Sequence, residues 1–321
     1  MREKIDSMNS VMDPAGVRRI SAEELETVLG TRFSSVIRAL VDESDLRYEL
    51  LQPDERDAYL LDVIETLMRS DHVVSGEHRR PDWEAGWSEN LNQFRATGDL
   101  SCLVPRYHSK HILVRWRQQI VKPLSRNFDY EIHRILVDWC IDEYMRKADA
   151  IFEFGCGPAY HLLRARSYNA GARLVGMDWT VASQEIIAEV VRRGIDTNAE
   201  GRHLDFLKPD YSIGIPSNSA IYTVAALEQL GPRFDNFLDF LLDKKPAICV
   251  HLEPIDEVMD SHQILDRLSV LYSRKRNYLT GFLTRLRSLE QEGKITIHKV
   301  QRTYTGSYFL EGHTLVVWSP R

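Results

Sequence analysis

IFEFGCGPAYH, residues 151–161, places an acid and two glycines directly after a short apolar run. Glycine lets the backbone turn tightly and lets a ligand approach without a Cβ in the way. Glu153 precedes Gly155 and Gly157, where its carboxylate can accept hydrogen bonds from a cationic or hydroxylated ligand. Because ligands of doubly wound sheets bind beyond the carboxyl ends of the strands, this stretch predicts a binding loop at the end of a buried strand.

Short apolar runs alternate with helical patterns through the second half of the chain. The runs lie at 148–154, 172–178, 219–225 and 246–252, and the clearest helical patterns between them lie at 183–194 and 235–245. Buried strands that alternate with helices predict a parallel sheet covered on both faces. Residues 294–304 and 313–320 predict an antiparallel hairpin with a short glycine-containing link. The long helical pattern at 263–291 is expected to break near Gly281.

The first half of the chain has a different pattern. Residues 1–20 are expected to form a loose arm, and apolar spacing predicts helices at 21–30, 32–44, 55–70, 83–94 and 130–145. Ser21 is the expected N-cap of the first helix, and Gly30 marks its end. We therefore expect a helical N-terminal region over 1–147, which could cover the substrate and supply a homodimer surface. An α/β, Rossmann-like domain is expected over 148–321.

The composition argues against several classes of protein. The 321 residues include 41 Lys and Arg against 47 Asp and Glu, a net charge of −6, whereas nucleic-acid binding favours a basic surface. The four cysteines have no metal-finger or CxxC spacing. Residues 1–16 lack the apolar segment of a signal peptide, and no apolar run approaches the roughly 20 residues that span a bilayer. We therefore expect a cytoplasmic protein with a small-molecule partner and with neither nucleic acid nor membrane as a partner.

The glycine loop departs from two common phosphate-binding patterns. The dinucleotide fingerprint is G-x-G-x-x-G or A, and its third small position is here filled by Tyr160. That ring would interfere with close packing between helix and strand, so a pyrophosphate site is disfavoured. A P-loop is excluded because no GKS or GKT follows the glycines.

EFGCGPA (153–159) instead resembles the first motif of the class I S-adenosylmethionine (SAM) dependent methyltransferases, with Ala159 in place of the last glycine. Asp178 matches the acid that binds the ribose after the second strand, and Asp205-Phe206 matches the adenine region after the third. The resemblance implies SAM as cofactor, S-adenosylhomocysteine (SAH) as product and a cytoplasmic transferase. It implies cofactor contacts from Glu153, Gly155, Gly157, Asp178, Trp179, Asp205 and Phe206.

Two glutamates follow neighbouring strands at the same edge of the predicted sheet. Glu228 and Glu253 could both face the methyl acceptor, and paired carboxylates suit a cationic guanidinium or amine. We therefore predict them as catalytic and substrate-binding residues, although Glu228 could instead cap a turn. Tyr107, His251, Arg276 and Tyr304 are predicted to complete the substrate pocket. We predict no metal site, because His108 and His111 have no clear carboxylate companion.

A wider resemblance concerns the substrate. WEAGWSENL, EFGCGPAYH, ALEQLG, HLEPIDE and EGHTLVVW are similar to a bacterial group of small-molecule methyltransferases that includes free L-arginine N-methyltransferases of natural-product biosynthesis. The implied reaction is N-methylation of the guanidino group of L-arginine.

Other interpretations stay open. One is O-methylation of a sugar or natural-product hydroxyl with His251 or His108 as base. Another is a non-catalytic SAM-binding interaction module, which Ala159 favours. Trp83, Trp87, Leu91 and Phe94 share one helical face, and we expect a core stripe rather than a wall over a ligand.

Overall fold

The computed structural model describes residues 16–105 and 112–321. Its first half contains five helices: α1 (Ala22–Leu29), α2 (Ser35–Glu43), α3 (Pro53–Met68), α4 (Arg80–Thr97) and α5 (Phe128–Tyr144). Four short strands lie among them: β1 (Arg18–Arg19), β2 (Arg47–Leu50), β3 (Val114–Trp116) and β4 (Gln119–Pro123). The five predicted helices are thus confirmed. Most of the predicted arm and the predicted pocket residue Tyr107 lie outside the described residues, as do His108 and His111.

The second half alternates strands and helices. The strands are β5 (Ala150–Phe154), β6 (Arg173–Asp178), β7 (Ala199–His203), β8 (Ser219–Val224), β9 (Ile248–Glu253), β10 (Ile295–Arg302), β11 (Thr305–Gly306) and β12 (Thr314–Pro320). The helices are α6 (Tyr160–Arg164), α7 (Val181–Arg192), α8 (Asp235–Lys244), α9 (Ile264–Lys275) and α10 (Phe282–Gln291). Gly281 separates the last two with a left-handed φ of 80°, which confirms the predicted break.

Seven strands form one mixed sheet in the order β10-β12-β9-β8-β5-β6-β7. The five strands from β5 to β9 are parallel, and β12 runs antiparallel to both β9 and β10. This confirms the predicted Rossmann-like, mostly parallel sheet with its C-terminal antiparallel hairpin. The chain adds strands on one side of β5 and then returns to its other side at β8. A ligand cleft is expected above that switch point.

The two faces of this sheet bury separate cores. Ile151 of β5 packs into the core that contains Leu136 of α5, while Phe152 packs into the core that contains Phe237 of α8. Successive strand residues point to opposite faces, so a strand buried on both sides is apolar at nearly every position. Helix α5 belongs to the first core and therefore packs with the main sheet, close to the expected domain boundary.

A second, five-stranded sheet was not expected. Its order is β1-β2-β4-β3-β11, and every pairing in it is antiparallel. The N-terminal region is therefore not purely helical, a correction to the sequence analysis. These strands have two to five residues each, too few to produce a readable alternation. Strand β11 comes from the link of the C-terminal hairpin, so the last part of the chain completes a sheet of the first part.

Helix termini follow the sequence signals where these were specific. The Ser21 hydroxyl accepts a hydrogen bond from the Glu24 backbone N–H at 3.2 Å, and Gly30 ends α1 with a left-handed φ of 58°. Both features were predicted from the capping pattern. Within the described ranges, each helix is too short or too polar to cross a membrane.

Candidate functional site

The loop after β5 depends on its two glycines. Gly155 and Gly157 have left-handed φ values of 75° and 48°. A Cβ on Gly155 would lie 2.4 Å from the Ala226 Cβ, and one on Gly157 would lie 3.0 Å from Cζ2 of Trp87. A Cβ at Gly155 would therefore clash with Ala226, a Cβ at Gly157 would require Trp87 to shift, and a left-handed φ strains any residue that has a Cβ. Ala159, which stands where the motif has glycine, keeps a left-handed φ of 58° as the N-cap of α6.

Asp178 ties the end of β6 to this loop. Its Oδ2 accepts a hydrogen bond from the Gly157 backbone N–H at 2.9 Å, and its Oδ1 accepts from the Thr180 backbone and hydroxyl at 2.9 and 2.7 Å. Burial raises the pKa of this carboxyl above its ordinary value. Asp178 therefore organises the loop and still has lone pairs that can face a ligand.

A small cavity of about 80 Å³ lies above the carboxyl ends of β5, β6 and β7. Its lining includes six of the seven predicted cofactor residues, namely Gly155, Gly157, Asp178, Trp179, Asp205 and Phe206. Phe206 packs edge-on against Phe237 with ring centroids 4.8 Å apart, which fixes an aromatic surface at the β7 end of this cavity. The structure thus brings these residues together around one space.

Glu153, the seventh predicted cofactor residue, lies at the other side of the loop. It is buried, and its Oε2 accepts a hydrogen bond from the Tyr222 hydroxyl at 2.9 Å. Burial raises the pKa of Glu153 to about 8. Glu153 lines a second, larger cavity of about 480 Å³.

The two cavities meet above the glycine loop. Six residues line both of them: Trp83, Trp87, Gly155, Gly157, Ala225 and Gln229. Ala225 follows β8 with a left-handed φ of 47°, a strained conformation for a residue with a Cβ. The site is therefore one cleft in two parts, with its junction at the glycines.

The predicted glutamate pair is divided by the structure. Glu228 lines the larger cavity, where burial and the nearby Glu253 raise its pKa to about 8. Glu253 is fully buried, and its Oε1 accepts hydrogen bonds from the backbone N–H groups of Ala226 and Leu227 at 3.0 and 3.1 Å. Glu253 thus holds the loop that carries Glu228 and does not line the cavity, so the structure does not bring it to the predicted substrate contact.

His251 and Tyr304 also lie away from the cavity. The buried His251 ring stacks at 6.2 Å on Trp318, and its Nδ1 bonds to the Thr223 hydroxyl at 2.9 Å. Burial lowers the pKa of His251 to about 3, so it stays neutral in the core. Tyr304 has a left-handed φ of 57°, and the Arg302 guanidinium lies 4.6 Å from the centroid of its ring. Neither side chain lines the larger cavity, so the structure does not bring His251 or Tyr304 to the predicted substrate pocket.

Arg276 does line the larger cavity, as predicted. Its guanidinium lies 5.8 Å from the ring centroid of Tyr272 and 5.2 Å from that of Tyr278. It also donates a hydrogen bond to the Tyr272 hydroxyl at 3.2 Å. Two aromatic rings thus fix a positive charge in the wall of the cavity.

Two groups of cavity residues were missed by the sequence analysis. Trp83 and Trp87 of α4 line both cavities, whereas Leu91 and Phe94 are buried in the core, so the predicted core stripe is correct only for its second half. The helical period predicts that these four side chains lie on one face of α4. It does not show at which residue along that face the core ends and the cavity begins.

The second group is a row of three histidines, whose arrangement as a row was not predicted. His133 Nδ1 lies 2.9 Å from His313 Nε2, and His133 Nε2 lies 3.3 Å from His161 Nε2. All three rings line the larger cavity. Because His133 uses both ring nitrogens, the rings do not point at one centre. Within 16–105 and 112–321, no cluster of three or more His, Cys, Asp or Glu side chains is arranged to hold a metal ion.

Helix α4 is held by hydrogen bonds across the end of the cleft that contains the smaller cavity. The Glu84 carboxylate accepts hydrogen bonds from the backbone N–H groups of Val181 and Ala182 at 2.7 and 2.9 Å. These are the first residues of α7, so Glu84 satisfies N–H groups that have no partner within the helix. Arg80 donates to the Trp179 carbonyl at 2.6 Å. The tryptophans of α4 are thereby held above the glycine loop.

No family model matches this sequence, and no curated protein matches it. Solved structures with a similar chain course have low identity. The cyclase SpnF is 14% identical, with a TM-score of 0.48 over 77% of this chain and 97% of that chain. Geranyl diphosphate C-methyltransferase from Streptomyces coelicolor A3(2) is 10% identical, with a TM-score of 0.45 over 85% and 99%.

A further similar structure is an O-methyltransferase family protein from Burkholderia thailandensis. It is 10% identical, with a TM-score of 0.45 over 92% of this chain and 76% of that chain. Strand order and connectivity, rather than these likenesses, establish that the chain has a Rossmann-like α/β fold with a two-part cleft at its switch point.

Proposed function

We propose that this protein is a SAM-dependent methyltransferase that acts on a small molecule. The observation that carries the proposal is the two-part cleft above Gly155 and Gly157. A smaller space bordered by Asp178 and Phe206 opens into a larger one bordered by Glu228. A methyl donor and its acceptor need two such adjoining spaces, because the reacting atoms must approach in line at about 3 Å.

The residues of the smaller space fit the cofactor. The glycine loop offers a surface that any Cβ would fill, and the free lone pairs of Asp178 can accept hydrogen bonds from ribose hydroxyls. Phe206 can lie along the adenine. When bound, SAM supplies an electrophilic methyl group, and the acceptor nucleophile takes it as the carbon–sulfur bond breaks. Glu153, on the other side of the loop, can bind the ammonium group of the cofactor.

We further propose a cationic acceptor, with the guanidino group of free L-arginine as the preferred example. Glu228 lies half-buried in the larger cavity, where its Oε1 accepts a hydrogen bond from the Gln229 side chain at 2.9 Å. Burial raises the pKa of Glu228 by more than the charge of Arg276 lowers it. A guanidinium bound directly to Glu228 would add a closer positive charge and favour the ionised carboxylate. Arg276, held by its two tyrosines, is available for the carboxylate of the same amino acid.

The decisive experiment measures transfer of labelled methyl groups from SAM to L-arginine, with agmatine and a hydroxylated sugar as parallel acceptors. Agmatine keeps the guanidino group and lacks the carboxylate that Arg276 would hold. We expect label in arginine, and a higher KM for agmatine. Cofactor binding without label in any guanidino compound would contradict the arginine proposal and leave the methyltransferase proposal standing.

One observation favours a second candidate, methylation of a hydroxyl group. The row of His133, His161 and His313 lines the acceptor cavity, and imidazole is a suitable base for a hydroxyl near neutral pH. Label in the sugar, lost on replacement of His161 by Asn and retained on replacement of Glu228 by Gln, would establish this alternative.

A further inference from the structure

The junction of the two cavities locates the reacting centre if the proposed function holds, and this inference rests on it. The nucleoside lies on the side of Asp178 and Phe206, and the acceptor lies on the side of Glu228. The sulfur that carries the methyl group must lie between them. Of the six described residues that line both spaces, the aromatic ones are Trp83 and Trp87.

The geometry of the pair leaves Trp87 nearest to the loop. The two indole rings stack with centroids 5.5 Å apart and planes inclined by 26°. The Arg79 guanidinium lies 5.8 Å from the centroid of the Trp83 ring, so Trp83 packs against a cation as well as against Trp87. Trp87 is the ring that approaches Gly157, with Cζ2 3.0 Å from the position of an added Cβ.

We propose that Trp87, supported by Trp83, recognises the positive charge of the sulfonium. The face of an indole attracts a cation, and tryptophan is the strongest of the aromatic side chains in this interaction. SAM carries that charge on sulfur, whereas SAH has a neutral thioether in the same place. Trp83 and Trp87, here called the tryptophan wall, therefore favour the binding of SAM over the binding of SAH. They also disfavour retention of SAH after each transfer.

The hydrogen bonds that hold α4 fix the position of the two tryptophans in the cleft. Glu84 and Arg80 hold the helix to the start of α7, next to the ribose acid Asp178. The tryptophan wall is thus fixed relative to the cofactor, and its position does not depend on whether an acceptor is bound. The discrimination between SAM and SAH should accordingly be present without any acceptor.

The test compares dissociation constants of SAM and SAH by calorimetry, with no acceptor present. Replacement of Trp87 by Leu keeps an apolar surface and removes the ring, so the preference for SAM over SAH should fall by about 2- to 30-fold. Replacement of Trp87 by Phe should retain most of it. Phe206→Leu is the matched control, because it removes an aromatic ring at the neutral adenine end and should weaken both ligands equally.

The outcomes separate the inference from the proposed function. If the unaltered protein binds neither SAM nor SAH, the proposed function fails and this inference fails with it. If both ligands bind and Trp87→Leu leaves their affinity ratio unchanged, the wall only packs and the inference alone is overturned. If Trp87→Leu binds neither ligand, Trp83→Leu decides, since loss of the supporting ring must also lower the ratio. An analogue with an ammonium group in place of the sulfonium should follow SAM in every variant.

Discussion

Gly157 donates its backbone N–H to Oδ2 of Asp178 at 2.9 Å, so the loop after β5 and the acid after β6 form one unit. The two residues belong to separate motifs of the sequence, yet the shape of the loop depends on the carboxylate and the carboxylate is oriented by the loop. The hydrogen bond holds the loop in its ligand-accepting shape before any ligand arrives. Such preorganisation reduces the cost of ordering the site on binding.

Asp178→Asn tests this unit. An amide nitrogen at the Oδ2 position cannot accept from Gly157, so the buried N–H loses its partner at a cost of about 1 to 3 kcal/mol. We expect a lower free energy of unfolding and a SAM affinity weakened by roughly tenfold or more. Urea denaturation and calorimetric titration measure these two quantities. Asp71→Asn, on the exposed Arg69 ion pair, is the control. Equal SAM affinity in both variants would contradict the ribose role.

Glu228→Gln and Glu253→Gln should behave differently. Glutamine at 228 loses the negative charge that would face a cationic acceptor, and we expect transfer to fall roughly hundredfold while SAM still binds. Glutamine at 253 keeps an oxygen that can accept from Ala226 and Leu227, so transfer should change only severalfold. Single-turnover rates with saturating SAM decide the matter. A large loss in both variants would restore direct substrate contact by Glu253.

Stability of the ligand-free protein should fall as the pH rises. Burial raises the pKa of Glu228 from an ordinary 4.5 to about 8, so the folded state holds a proton that the unfolded state has released above about pH 5. This stabilising difference is complete below the unfolded pKa of 4.5 and is lost as the pH passes through about 8. Urea midpoints across that window should decline less steeply in Glu228→Gln. Parallel declines in both proteins would mean that Glu228 does not titrate there.

Glu84→Ala should loosen α4 from the start of α7. The variant leaves the N–H groups of Val181 and Ala182 without their carboxylate, a loss of about 1 kcal/mol for a helix N-terminus. Because Trp83 and Trp87 move with α4, SAM should bind severalfold more weakly, and SAH should be weakened by a smaller factor. Glu185→Ala removes the half-exposed pairing with Arg95 on the same two helices and should leave both affinities unaltered. Similar effects of the two substitutions would argue against a specific role of Glu84.

His251→Asn should affect stability rather than chemistry. The ring fills a core position between Phe282 and Trp318, and a smaller side chain there leaves a cavity that costs about 1 to 3 kcal/mol. We expect a lower thermal midpoint and an unaltered turnover per folded molecule. Loss of turnover with stability retained would return His251 to the list of candidate bases.

The sequence was most informative where one residue type can satisfy a local requirement. The left-handed glycines, the cap at Ser21, the break at Gly281 and the apolar runs of the parallel sheet are such cases. Each depends on neighbours in sequence, so each leaves a readable pattern. The edge strand β7 lacks such a pattern, because its residues are mostly polar and none of them is fully buried.

Residues whose role depends on distant contacts were harder to place. Glu253 is the last residue of β9, whereas Glu228 lies in the turn that follows β8, and only the packing of that turn decides which carboxylate reaches the cavity. The same holds for Trp87, which is part of a regular helical face until α4 is set against Gly157. The three histidines of the row come from α5, α6 and the last hairpin, so no local spacing in the sequence predicts that they lie together.

The pairing of β11 with β3 has a consequence for biosynthesis. Trp116 finds its strand partner Thr305 only after most of the chain has left the ribosome. Until then β3 is an open edge, and open edges invite pairing with other chains. Contacts between residues so distant in sequence also form slowly. The five-stranded sheet is therefore complete only after the last hairpin has formed.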